Sequence, residues 1–350
     1  MTSEPTAPIG VETAAVSRFI TGMSRAGTTW VGKCLNARPD AAVFGETSFW
    51  GRWYVPPRAD GTYDQAQIHG ILERLKRRGT CVQSLSGQGP GCLRVLNREN
   101  VGEHLDVAFA DFKAPQTPLA LFQRLGAMVA SAEGAAIAIE KTPHHVNWIG
   151  RIITEIPSAR FLIMMRDPYD FMVSYQHQGA QKSGSERWKY RWKNHPMGTA
   201  LVWKGYLRSI DRATRDWPAQ TLVVRFEDLR ADADGVLDRV QRFFGLEPVP
   251  SLAASVPPDN TSFPGGVRPR LRGEQAFWLN LAARRHIRAA GYELRRTPIE
   301  PLRIIGSIAV VPFWFVRQYL HLRRRTGGSM LAYIWHWLRP GRSSRPAHGP

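Results

Sequence analysis

Cysteine is nearly missing from this 350-residue chain, which holds only Cys34, Cys81 and Cys92. None stands in a Cys-x-x-Cys pair, so neither a thiolate zinc site nor a disulfide framework is indicated, and Cys81 and Cys92 read as free thiols rather than a bridge. No cluster of metal-ligating residue types appears, and no metal is expected. Acidic residues are also in short supply. Lys and Arg number 47 against 29 Asp and Glu, a net charge of +18 at pH 7. Such a chain meets anionic partners: a phosphorylated cofactor, an acidic substrate, nucleic acid or a membrane surface. No apolar run reaches the about 20 residues that a membrane span needs. The polar, proline-containing start has neither the basic flank nor the apolar stretch of a signal peptide. Residues 1–15 are therefore expected to be disordered, ahead of a catalytic part in the cytoplasm.

What is present is a series of short apolar runs, each followed by a turn and a helical pattern. They are Arg18–Thr21, Ala41–Phe44, Ala136–Ile139, Arg160–Met165 and Thr221–Val224. That alternation predicts an α/β fold with a doubly wound, mainly parallel sheet flanked by helices, spanning residues 16–294. Residues 52–134 read as a less regular insertion carrying a lid. The tail, residues 295–350, holds ten arginines and one glutamate, a surplus of nine that is half the net charge of +18. Its apolar stretch Ile304–Val316 and aromatic Tyr333–Leu338 fit a segment lying on an anionic membrane surface, in preference to a core helix followed by a solvated basic tail.

The stretch Gly22-Met-Ser-Arg-Ala-Gly-Thr-Thr-Trp30 joins the first strand to the first helix. Two glycines let the backbone curl so that successive N–H groups face inward, and the helix beginning near Thr28 adds the positive end of its dipole. Such a loop cradles phosphate, although alone it also fits a plain structural turn. It departs from the nucleotide-triphosphate P-loop, since Thr28 replaces the lysine and the cation is Arg25, inside the loop. A kinase or NTPase gripping β- and γ-phosphates around magnesium is therefore the weaker enzymatic reading. A basic nucleic-acid-binding protein without catalysis would leave the strand-end motifs unexplained.

In an open α/β sheet, ligands sit beyond the carboxyl ends of the strands. Arg25 follows the first strand, Glu46 the second, Lys141 the third and Arg166 the fourth. Three cations and one carboxylate on one edge suit transfer of an anionic group to a neutral acceptor: cations hold and neutralise, and the carboxylate takes a proton. In Arg166-Asp-Pro168 the aspartate is a favoured N-cap and the proline a favoured first helical residue, which sets Arg166 at a helix start with Ser174 about two turns on. Thr142-Pro143 repeats the device after Lys141. His144 and His145 are open to roles as acid, substrate contact or core. The segment Lys182–Lys193 interleaves cations with Trp188, Tyr190 and Trp192, as an acceptor-binding lid or as an amphipathic surface stretch. Trp203, Tyr206, Leu207, Ile210 and Trp217 recur at helical spacing and predict a packed face.

These residues resemble the sulfotransferases that use 3′-phosphoadenosine-5′-phosphosulfate (PAPS). Gly22–Trp30 is similar to that family's 5′-phosphosulfate loop, and Phe161-Leu-Ile-Met-Met-Arg-Asp-Pro-Tyr-Asp-Phe-Met-Val-Ser-Tyr175 is similar to its 3′-phosphate motif. Glu140-Lys-Thr-Pro143 and Val223-Val-Arg-Phe-Glu-Asp-Leu229 resemble segments of the glycan-modifying and tyrosylprotein members. The resemblance runs from about Ser17 to Gly291 and implies a P-loop-like fold. It implies that Ser24, Arg25, Ala26, Gly27, Thr28, Thr29 and Trp30 hold the 5′-phosphosulfate, and that Arg166 and Ser174 hold the 3′-phosphate. Gly266 and Arg268, in Gly265–Arg270, match the segment that closes over the nucleotide. Glu46 falls at the acidic base, where cytosolic small-molecule members carry histidine, and Lys141 at a lysine beside the reacting group. The implied reaction moves a sulfuryl group to a hydroxyl, in preference to an amine, of a glycan, glycolipid, lipid-linked or secondary-metabolite acceptor. His144, Trp188 and Trp192 are candidate acceptor contacts.

Overall fold

The computed structural model describes residues 15–51, 53–78, 93–97, 99–177, 194–257, 263 and 268–326. Five strands form one parallel sheet: β1 (Arg18–Gly22), β2 (Ala41–Gly45), β3 (Ile137–Lys141), β4 (Arg160–Met165) and β5 (Thr221–Arg225). Each expected run became a strand, with bounds moved by a residue or two. All five are apolar through their middles because helices cover both faces, the condition that keeps a parallel sheet dry. Helices α1 (Thr28–Asn36), α2 (Gln65–Arg78), α3 (Val101–Phe109), α4 (Pro118–Glu133), α5 (Ile149–Glu155), α6 (Pro168–Gln176) and α7 (Pro196–Asp216) follow in chain order. After β5 come α8 (Phe226–Ala231), α9 (Ala233–Phe243), α10 (Gly273–Ala289) and α11 (Pro301–Thr326).

Strand order is β2-β3-β1-β4-β5. The chain steps outward from β1 to β2, then returns and advances in the opposite direction to β5. With right-handed crossovers, α1 lies on one face of the sheet and the helices after β2, β3 and β4 on the other. The carboxyl ends of β1, β3 and β4 therefore open into the crevice where the connections diverge. On one face the rings of Phe19 and Phe161 stack at 5.1 Å and Phe19 and Phe122 at 6.0 Å, joining β1, β4 and α4 in the core. Burial of such rings dominates the stability of the sheet.

Local signals set the helix ends. Asp167 accepts from Tyr169 N and Asp170 N, each at 2.9 Å, with Pro168 at the first helical position of α6. Thr117 caps α4 in the same manner, and Gly134 ends it at φ +66°. The parallel expectation at Thr142-Pro143 is corrected. A 3-10 turn does start at Pro143, but the Thr142 side chain makes no cap bond; its hydroxyl goes to Glu140 instead. The insertion is also more regular than expected, since α2, α3 and α4 all lie between residues 52 and 134. Gly70, and an α2 start with no acidic first turn, blurred that pattern.

The chain past residue 294 stays in contact with what precedes it. Arg295 bridges to Asp167 and Asp170 at 3.1 and 2.8 Å, and Trp278 Nε1 donates to Ser307 Oγ at 2.9 Å. Among the described residues no helix is long and apolar enough to cross a membrane.

Candidate active site

The loop after β1 is built as a cradle. Gly22 has φ +119°, and a Cβ there would stand 2.2 Å from Met164 O, so only glycine lets β1 lie against β4 at this point. Met23 N donates to Met164 O at 2.8 Å and extends the ladder one residue into the loop. Arg25 (φ 68°) and Gly27 (φ 86°) then turn the backbone through left-handed conformations into α1. No side chain caps α1. Its first amides, from Thr28, Thr29 and Trp30, are therefore the unsatisfied donors of a helix start, and they carry the positive end of the dipole. Ala26 and Thr28 are buried beneath the loop, while the Trp30 indole N–H donates to Val256 O at 3.2 Å.

Strands β2 and β3 deliver the carboxylate and the lysine together. Gly45 pairs with Lys141 in register, so Glu46, the next residue, meets the Lys141 side chain across the strand ends. Lys141 Nζ donates to Glu46 Oε1 at 2.8 Å; the lysine side chain is fully buried and the glutamate side chain is 46% exposed. Behind this pair lies a second, wholly buried carboxylate. Glu140 Oε1 accepts from Thr47 Oγ1 at 2.8 Å and Thr142 Oγ1 at 2.5 Å, and Glu140 Oε2 meets His145 Nδ1 at 3.0 Å. Burial by itself would raise the Glu140 pKa, but His145 and the two threonine hydroxyls outweigh it and hold the carboxyl below the ordinary glutamate value. Because Thr47 adjoins Glu46 and Thr142 adjoins Lys141, Glu140 ties together the two strand ends that present the pair.

At the end of β4, Arg166 is 9% exposed. Its Nη1 donates to Arg25 O at 2.5 Å, and its guanidinium stands 4.4 Å from the Phe226 ring centroid. Its buried Nε has no protein partner. Burial pushes its pKa down to about 10, Asp170 opposing and Arg268 assisting, so it stays a cation at neutral pH. Ser174, buried on α6, receives a hydrogen bond from Arg25 Nε at 3.4 Å. Arg268 pairs with Asp170 at 2.6 Å. Burial works to raise the Asp170 pKa, but Arg268 and Arg295 together bring it below the usual aspartate value. The structure thus groups Ser24, Arg25, Arg166, Ser174 and Arg268 around the ends of β1 and β4.

Three residues that sequence reasoning did not assign to the site belong to its walls. Phe226 stands over the loop, where its ring would meet a Cβ on Gly27 at 2.9 Å, and it also faces Arg166. Arg295 reaches Asp167 and Asp170 from what read as a tail. Tyr206, expected as part of a packed face, is buried with Trp203, Leu207 and Ile210, yet its hydroxyl lies 3.0 Å from Ser24 Oγ and 2.9 Å from His144 Nδ1. Burial, with Tyr175 next in strength, raises its pKa, so the phenol stays protonated. Helical spacing announces a buried face but not which hydroxyl on it finds a polar neighbour. Of the two histidines, His145 is the buried partner of Glu140 and His144 is exposed beside Tyr206. Trp188, Trp192 and Gly266 lie outside the described residues, as do Cys81 and Cys92. Cys34 is a buried thiol, its pKa pushed up to about 12 chiefly by burial.

Residues 18–250 match the model of the family described as the Sulfotransferase family. No curated protein matches the chain. Among solved structures, a sulfotransferase from Alicyclobacillus acidocaldarius is similar at 19% identity and TM-score 0.44, covering 80% of this chain and 98% of that one. The sulfotransferase domain of the Synechococcus PCC 7002 olefin synthase is similar at 16% identity and TM-score 0.46, with coverage of 89% and 98%. Sulfotransferase STF9 from Mycobacterium avium is similar at 14% identity and TM-score 0.47, with coverage of 83% and 79%.

Proposed function

The chain belongs to the sulfotransferase family, and from that premise we propose that it moves the sulfuryl group of PAPS to an acceptor hydroxyl with Glu46 as general base. The Lys141–Glu46 contact at 2.8 Å beside the loop carries this reading, because it places a half-exposed carboxylate at the strand end next to the anion cradle.

The donor fits the residues present. A Cβ at Gly27 would strike the Phe226 ring that stands over the loop, the amides of α1 are uncapped by any side chain, and the buried Arg166 Nε lacks a partner. Ser24, Arg25, Thr28 and Thr29 would hold the 5′-phosphosulfate, and Arg166 with Ser174 the 3′-phosphate. Arg268 would close over the nucleotide. Bound there, PAPS supplies an electrophilic sulfur and a phosphate leaving group.

Glu46 takes the proton of the acceptor hydroxyl as it attacks in line, with the Lys141 hydrogen bond fixing the carboxylate's orientation. Loop amides and Arg25 stabilise negative charge growing on the leaving oxygen, a contribution fixed before the reaction starts. Positioning and electrostatics carry the rate, as in phosphoryl transfer. The acceptor class is a glycan, glycolipid, lipid-linked or secondary-metabolite alcohol, with His144 at the rim as a contact.

Calorimetry tests the donor: adenosine 3′,5′-bisphosphate should bind without magnesium and lose that binding in Arg166→Ala. Preference for ATP with magnesium would overturn the reading. Mass spectrometry of extracts with and without active enzyme, searching for a sulfonate increment, identifies the acceptor.

A further inference from the structure

The chain that follows α10 is fastened at three points to the residues that end β4 and β5. Arg225 Nη2 donates to Ala290 O at 2.8 Å, the Tyr292 hydroxyl donates to Glu227 Oε2 at 3.1 Å, and Arg295 reaches Asp167 at 3.1 Å and Asp170 at 2.8 Å. Glu227 in turn accepts from Asp167 N at 3.0 Å, so the attachments form one assembly beside Arg166. Arg295 lies past the residues 18–250 that match the family model, and past Gly291, where the motif resemblance ends.

The charges around Arg166 do not by themselves welcome a phosphate. Asp170 and Glu227 both act on its guanidinium, Asp167 adjoins it in sequence, and a phosphate dianion arriving there meets these carboxylates as like charges. The Asp170 side chain, only 15% exposed, carries two cations at once, Arg268 at 2.6 Å and Arg295 at 2.8 Å. A carboxylate so buried cannot cheaply lose its only cation. With two, it can release one. Arg295 also holds Asp167, whereas the ion pair of Arg268 among the described residues is with Asp170, so Arg268 has the fewer ties to give up. Burial works against the Arg295 charge, but Asp167 and Asp170 outweigh it and raise its pKa.

We propose that Arg295 is a positioning residue for the 3′-phosphate of the donor: it keeps Asp167 and Asp170 neutralised, so that Arg268 can leave Asp170 and join Arg166 on the phosphate. The inference rests on the donor reading above and adds to that site a residue from what reads in sequence as a tail. Arg295 acts through the two carboxylates and Arg268. Without it, Asp170 has Arg268 alone, and the phosphate must compete for that cation against a buried carboxylate.

Calorimetry on the full-length protein compares adenosine 3′,5′-bisphosphate with adenosine 5′-monophosphate, which lacks the phosphate at issue, the weaker ligand being measured by competition. Arg295→Gln should weaken the bisphosphate by about tenfold and leave the monophosphate within about twofold of wild type. Adding Asp170→Asn removes the carboxylate that otherwise holds Arg268, and the double variant should recover most of the lost affinity. A residue that only fastens the chain behaves otherwise: its loss weakens both nucleotides, and loss of Asp170 as well deepens the defect. Either of those results overturns the proposal, as does bisphosphate affinity in Arg295→Gln equal to that of wild type. Arg295→Lys, which keeps the charge without the fork that spans two carboxylates, should fall between wild type and Arg295→Gln, and it carries the same comparison if Arg295→Gln melts early. A wild-type protein that binds no bisphosphate overturns the donor reading and this inference with it, whereas wild-type binding that is indifferent to Arg295 overturns the inference alone.

Discussion

Lys141 and Glu46 meet across neighbouring strand ends, Nζ to Oε1 at 2.8 Å, with the ammonium side chain buried and the carboxylate half in solvent. A buried cation with one close carboxylate depends on that carboxylate far more than an exposed pair does. The two residues should therefore act as a unit. Glu46→Gln is expected to lower turnover by about 100-fold or more while leaving nucleotide affinity intact. Lys141→Met should lower turnover as well, and the double variant should lose less than the two single losses combined. Steady-state rates with calorimetry on the same samples check this; near-normal turnover in Glu46→Gln would remove Glu46 as the base.

Arg166→Lys keeps a cation but loses the planar fork that spans Arg25 O on one side and presents an unpartnered Nε on the other. Lysine cannot reproduce that geometry. Affinity for adenosine 3′,5′-bisphosphate should fall by about tenfold or more, read by titration calorimetry. Equal affinity in the variant would show that the guanidinium is structural.

Gly22→Ala tests the cradle as a piece of the fold. The new Cβ would sit 2.2 Å from Met164 O at a residue with φ +119°, and the obstacle is backbone that cannot swing aside. Strain of this kind costs a few kcal/mol, and the unfolding midpoint should drop by roughly 5 °C or more in a thermal scan.

Glu140 gives a pH dependence of defined sign. Its folded-state pKa lies below the ordinary value of 4.5, so the unfolded chain binds its proton more readily than the native one. The stability it contributes is present above 4.5 and is lost as pH falls through the folded value. Glu140→Gln should therefore flatten the acid limb of the stability curve below that point, measured by denaturant unfolding at stepped pH. A slope identical to wild type would show that other carboxylates carry it.

Tyr206→Phe removes the hydroxyl between Ser24 and His144 with little change in volume. The expected loss of stability is about 1 kcal/mol. The sharper readout is catalytic, since Ser24 is then held less firmly at the loop: KM for the donor should rise while the fold persists. An unchanged KM would confine Tyr206 to packing.

The sequence by itself determined the sheet and the position of its chemistry. Apolar runs of strand length, glycines where the backbone must turn, and an Asp-Pro helix start are local signals, and each strand end named a residue: Arg25, Glu46, Lys141 and Arg166. Family membership was legible in the same motifs, because a phosphate loop and an N-capped helix are written in consecutive residues. Tertiary structure decided what those residues touch. Strand order β2-β3-β1-β4-β5 sets Glu46 beside Lys141 although 95 positions separate them. It gathers Thr47, Thr142 and His145 on Glu140, brings Phe226 over Gly27, and carries Arg295 out of an apparent tail onto Asp167. It also turned one flank of α11 inward, where Trp314 is buried against His195. Helical spacing can announce an apolar face, but which of two such faces finds cover is settled only when distant segments pack, since burial is a property of neighbours and not of the residue.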